Sequence, residues 1–101
     1  MNIKMTYLYR DGGNYKHWQE AVFSNKEEKS VAELTQEIRK SLISGLYFDQ
    51  SLAPIPIEID AEYDEELDHS WLEFHRFEEI DESTQVSQDV LDFIARLGTR
   101  A

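Results

Sequence analysis

Seven carboxylates, two histidines and a tryptophan, with no basic side chain among them, occupy the sixteen residues DAEYDEELDHSWLEFH at 60–75. Carboxylate oxygen and neutral imidazole are the metal ligands left to a chain without cysteine, and the same groups serve as general acids and bases. The stretch therefore offers cation binding, proton transfer, or recognition of a basic partner.

A calcium loop takes ligands at positions 1, 3, 5, 7, 9 and 12, with glycine at position 6 for the sharp turn. Counted from Asp60, positions 1, 3, 5 and 9 are acidic (Asp60, Glu62, Asp64, Asp68), but position 6 is Glu65 and position 12 is Trp71. The match fails at the turn and at the terminal bidentate carboxylate, its two most diagnostic places. A transition-metal or hydrolytic site would draw on Asp68, Glu73 and His75. In an extended chain His69 and His75 stand roughly 20 Å apart at ~3.3 Å per residue, too far for one ion, whereas Glu73 and His75 are neighbours on one face. HSWLEFH is not the HExxH of zinc proteases, and the chain has no GxSxG elbow, phosphate-binding GxxxxGK[ST] loop or GxGxxG. No catalytic residue and no cofactor is assigned, and enzymatic activity is not the leading expectation.

Charge distribution favours recognition. The net charge is −11, yet residues 1–50 carry seven basic and seven acidic side chains, so the excess lies wholly in the second half. There, fourteen acids between Glu58 and Asp92 face only Arg76, Arg96 and Arg100. Such a field repels phosphate backbones, which argues against direct nucleic-acid binding and for cations or a basic protein surface.

The elements that must position these residues are legible from periodicity. IKMTYLYR at 3–10 alternates Ile3, Met5, Tyr7 and Tyr9 against Lys4, Thr6, Leu8 and Arg10, a strand pattern. DGGN at 11–14 is a turn, and WQEAVF at 18–23 resumes an extended pattern, which predicts an antiparallel hairpin. Ser30 and Glu33 make a capping box, and Val31, Leu34, Ile38 and Leu42 form one apolar stripe of a helix that Gly45 is placed to end. LYFDQSLAPIP at 46–56 reads as a connector. Ile55, Ile57 and Ile59 then predict a third strand, confined to an edge by Pro54 and Pro56, which lack donors. SWLEFHRFEEI at 70–80 predicts a fourth, with Leu72 and Phe74 on one face and Trp71 and Phe77 on the other. A last helix should start near Ser87, with Val86 and Leu91 as a hydrophobic staple, bury Val90, Phe93, Ile94 and Leu97, and stop at Gly98.

The expected fold is one α+β domain over 1–101, a two-layer sandwich of order β-β-α-β-β-α. Its four-stranded, mostly antiparallel sheet carries both helices on one face. The absence of cysteine fits a reducing compartment, and no run of ~18 apolar residues or secretory leader is evident, so a cytoplasmic protein without membrane contact is expected. Aromatics exceed what two single-stripe helices need to cover. Most belong in the core, but Tyr9, Tyr15, Trp18 and Trp71 are candidate anchors beside Asp60, Glu62, Asp64, Glu65 and Asp68.

The segments YRDGGNYK (9–16), VFSN (22–25), LYFDQ (46–50) and YDEELDHSWLEF (63–74) together resemble a group of small bacterial proteins of about this length to which no activity is assigned. The resemblance implies a single bacterial domain and carries over no catalytic residues. The function expected from the residues is a small acidic interaction module that binds a basic partner surface, in the manner of an inhibitor, immunity protein or antitoxin. Two alternatives stand beside it: a metal-assisted hydrolase or divalent-cation binder using Asp68, Glu73 and His75, and a structural homodimer through the open sheet face.

Overall fold

The computed structural model describes residues 1–10, 16–49 and 71–98. The strand expected at 55–59 and the acidic positions Asp60, Glu62, Asp64, Glu65 and Asp68 lie outside the described residues, as does Tyr15. The elements in chain order are β1 (Asn2–Arg10), β2 (Lys16–Phe23), α1 (Val31–Ser41), β3 (Tyr47–Asp49), β4 (Trp71–Ile80) and α2 (Val90–Leu97). The strands form one antiparallel sheet of order β2-β1-β4-β3, so the fold is α+β as the patterning predicts.

The expected alternation of β1 governs the sheet. Ile3, Met5, Tyr7 and Tyr9 are all fully buried on one face, where register places Phe23 and Ala21 of β2 and Phe77 and Phe74 of β4 beside them. Both helices deliver their stripes to this face. Leu34 and Ile38 of α1, Leu42 just beyond it, and Val90, Phe93, Ile94 and Leu97 of α2 belong to the same hydrophobic cluster. Phe93 stacks on Phe23 with centroids 5.1 Å apart and meets Phe48 edge-on at 5.8 Å. The Arg39 guanidinium of α1 lies over the Phe74 ring at 5.2 Å, a cation–π contact that holds the helix to the sheet.

Local signals define α1 closely. Ser30 caps it by accepting from the Glu33 N–H at 3.1 Å, while the Ser30 hydroxyl donates to the Glu33 carboxylate at 3.3 Å. The helix ends at Leu42, and Gly45, with φ +70°, turns the chain three residues later. That turn is closed by paired hydrogen bonds between Ile43 and Tyr47 and by Arg39, which donates to the Gly45 carbonyl at 2.8 Å.

Three expectations are corrected. Residues 46–56 were expected as a connector, but Tyr47–Asp49 is a strand that pairs with Trp71–Glu73 of β4. Three residues are too few to show periodicity, and it is the fit of Phe48 against Tyr7 (5.8 Å) and Phe93 that holds them there. Phe77 does not oppose Leu72 and Phe74: the β1–β4 register shifts between Thr6 and Tyr7, which pair with Arg76 and Phe74. His75 is thus an extra residue, and this bulge returns Phe77 to the core face. Finally, α2 starts two residues later than expected, capped by Asp89 rather than near Ser87.

Candidate functional site

The sheet face turned away from the helices carries the side chains left over from the core. Register arranges them in rows: Val22, Lys4 and Glu78; then Glu20, Thr6 and Arg76; then Trp18, Leu8, Glu73 and Tyr47; with Trp71 and Asp49 at the end. Leu8 and Val22 are buried on this face although neither belongs to the core cluster.

The face divides into an ionic and an aromatic half. In the first, the Lys4 ammonium lies 3.1 Å from Glu78 and 3.9 Å from Glu20, and Arg76 approaches Glu78 at 3.8 Å. The hydrogen bond to Glu78 raises the Lys4 pKa above its ordinary value, against a smaller opposing effect of burial and with help from the Glu20, Glu78 and Glu82 charges. In the second half, Trp18 meets His75 edge-on at 5.0 Å, and Tyr47 lies against Trp71 at 5.6 Å. Trp18 and Trp71 remain 53% and 42% exposed, the two most exposed large hydrophobic side chains in the described elements. The bulge that restores Phe77 to the core also places His75 against Trp18, because an extra residue lets two side chains in succession depart from strict alternation.

The structure places Trp18 and Trp71 on this face, where Glu73 shares the row of Trp18 through Leu8 and His75 meets the Trp18 ring. Tyr9 does not join them. It is fully buried on the opposite, helix-covered face, where its ring lies 6.0 Å from His17. Alternation decides this, since Tyr9 shares parity with Ile3, Met5 and Tyr7. Among the described residues no group of three or more His, Cys, Asp or Glu side chains is arranged to hold a metal ion. Among them also, no helix is long and apolar enough to cross a membrane.

Tyr47 is the aromatic that sequence reading omitted from this face. Its strand is too short to be recognised by pattern, so no sequence signal placed it beside Trp71. No family model, curated protein or solved structure matches the chain significantly.

Proposed function

We propose that this protein is an interaction module whose sheet face opposite α1 and α2 binds a basic protein surface. The observation that carries the reading is the exposure of two tryptophans on one face of a rigid sheet, in a chain whose net charge is −11. Single exposed apolar side chains are ordinary, but two tryptophans on one sheet face offer more apolar surface than a lone residue, and Trp is a residue type enriched among those that anchor partners. Trp18, Trp71 and Tyr47 offer flat apolar surface to a cationic side chain, and Arg in particular stacks on such rings. Acids supply the long-range attraction: the second half of the chain carries fourteen against three arginines. Such a module can act by occlusion, as inhibitors, immunity proteins and antitoxins do, covering a cationic working surface without chemistry of its own.

The test is capture of basic proteins from the bacterial cytosol, followed by titration of each purified candidate at about 50 mM and about 500 mM salt. The reading expects affinity to fall by at least about tenfold with salt, and by a similar factor in Trp18→Ala/Trp71→Ala at fixed salt. A captured protein indifferent to both changes, or no basic protein captured at all, overturns it.

A further inference from the structure

Among the described residues, the outer edge of β2 divides into a part closed by hydrogen bonds and a part that none reaches. At Val22 the edge is closed by Gln85, whose side-chain oxygen accepts from the Val22 N–H at 3.1 Å and whose own N–H donates to the Val22 carbonyl at 2.9 Å. At Ser24 it is closed by the Val90 N–H, which donates to the Ser24 carbonyl at 3.0 Å. These bonds define which backbone groups point away from β1: those of even-numbered residues. Pairing with β1 is unbroken from Phe23 to Lys16, so the N–H and C=O of Lys16, Trp18 and Glu20 point outward as well. Among the described residues, no hydrogen bond reaches them.

An open edge of this kind is a template for another strand. Natural sheets often protect such edges with charge, and here the edge bears one lysine and one glutamate at symmetric distances from a tryptophan. In an antiparallel pairing of β2 with a second copy of itself centred on Trp18, Lys16 falls opposite Glu20 and Glu20 opposite Lys16, while Trp18 meets Trp18. The three outward-pointing residues then form three hydrogen-bonded pairs, each with side chains on the same face, opposite α1 and α2. The charges that would repel most strand partners are complementary to their own copy in this register. Glu20, already 3.9 Å from Lys4, would lie between two ammonium groups. Gln85 sets the length of the pairing, since Val22 is no longer available.

We infer that the Lys16–Glu20 edge of β2 is a homodimer interface. It joins two four-stranded sheets into one of eight strands about a twofold axis and doubles the aromatic face. Opposite-charge cross-strand pairs, the Trp18 pair and six backbone hydrogen bonds over so short an edge suit a weak, reversible dimer, with a dissociation constant of roughly 10–100 µM. The dimer does not rest on the basic-partner reading: backbone groups at the edge of β2 form it, and the oligomeric state of this chain alone, with no second protein present, reports it.

Sedimentation equilibrium from about 5 to about 500 µM protein at about 150 mM salt tests it, on the full chain and three variants. The wild type is expected to pass from monomer to dimer across this range. Lys16→Glu and Glu20→Lys, which each set like charges opposite one another, are expected to weaken the dimer by about tenfold. The double variant Lys16→Glu/Glu20→Lys, with unchanged net charge, is expected to recover it. Both substituted positions are exposed, and circular dichroism verifies that each of the three variants is folded. A wild type that stays monomeric throughout overturns the proposal. So does a dimer that both single variants leave unchanged, or one that the double variant does not restore.

Discussion

The Asp89 carboxylate accepts the Ser24 hydroxyl at 2.8 Å across 65 positions of sequence. The same carboxylate accepts the Lys26 N–H at 2.9 Å and the Leu91 N–H at 3.2 Å, so one side chain caps α2 and fastens it to the end of β2. Asp89 is only 6% exposed. Burial by itself pushes its pKa up, but the Lys26 N–H, the Ser24 hydroxyl, the Leu91 N–H and the Lys26 charge together outweigh it and hold the carboxyl below its ordinary 3.8.

Asp89→Ala is therefore expected to cost about 2 kcal/mol at neutral pH, because it removes a helix cap and leaves three part-buried donors without this acceptor. For a domain of this size that corresponds to a fall of roughly 8–16 °C in melting temperature. The folded carboxyl titrates below the unfolded one, so this stabilisation is complete above 3.8 and is lost as pH falls through the lower folded value. Denaturation of wild type and variant followed from neutral pH into acid should show the gap between them close only below that point.

Tyr7 presents the opposite case. Its hydroxyl is buried and, among the described residues, has no hydrogen-bond partner, and burial pushes its pKa up to about 12. Tyr7→Phe should leave stability at neutral pH unchanged or raise it by up to about 1 kcal/mol, because it removes an unmet polar group while keeping the ring against Phe48. The folded pKa lies above the unfolded value of 10.0, so the contribution of Tyr7 to stability is present below that value and is lost as pH rises from there towards 12. Urea denaturation at alkaline pH should find the phenylalanine variant losing less stability than the wild type.

The bulge makes a prediction about length. Deletion of His75 removes the extra residue, leaving Leu72, Phe74 and Phe77 on one face of a regular strand, and should cost only about 1–2 kcal/mol. Deletion of Thr6 from β1 has no such escape, because it sets Ile3 and Met5 out of phase with Tyr7 and Tyr9 and turns one pair or the other out of the core. The first variant should retain a cooperative thermal transition and the second should lose it.

Trp18 and Trp71 are the residues whose substitution separates function from folding. Both are exposed and outside the core cluster, so Trp18→Ala/Trp71→Ala should change stability by no more than about 1 kcal/mol. Phe93→Ala, by contrast, removes a fully buried ring in contact with Phe23 and Phe48, and should cost about 3–5 kcal/mol. Chemical denaturation of the two variants side by side checks the contrast.

Much of the fold was legible because its signals are local. Alternation in residues 3–10 identified the buried residues of β1, and the four-residue spacing of Leu34, Ile38 and Leu42 identified the buried stripe of α1 and its C-cap. Ser30 and Glu33 announced the start of that helix within one turn. Of the candidate site, Trp18 and Trp71 were candidate anchors among aromatics expected mostly in the core, and only the folded sheet decides their exposure, while Tyr9 was misplaced although its own alternation with Tyr7 assigns it to the core.

What the sequence by itself determined is the set of elements whose evidence lies within one strand or one helix, together with the charge imbalance between the two halves. Tertiary structure decided the rest. The extra residue at His75 exists because β4 must match β1; the strand Tyr47–Asp49 exists because Phe48 fits between Tyr7 and Phe93; and α2 begins at Val90 because Asp89 finds Ser24 and Lys26. In each case the stabilising contact joins residues far apart in the chain, so its free energy enters only once the two segments meet, and no local pattern records it.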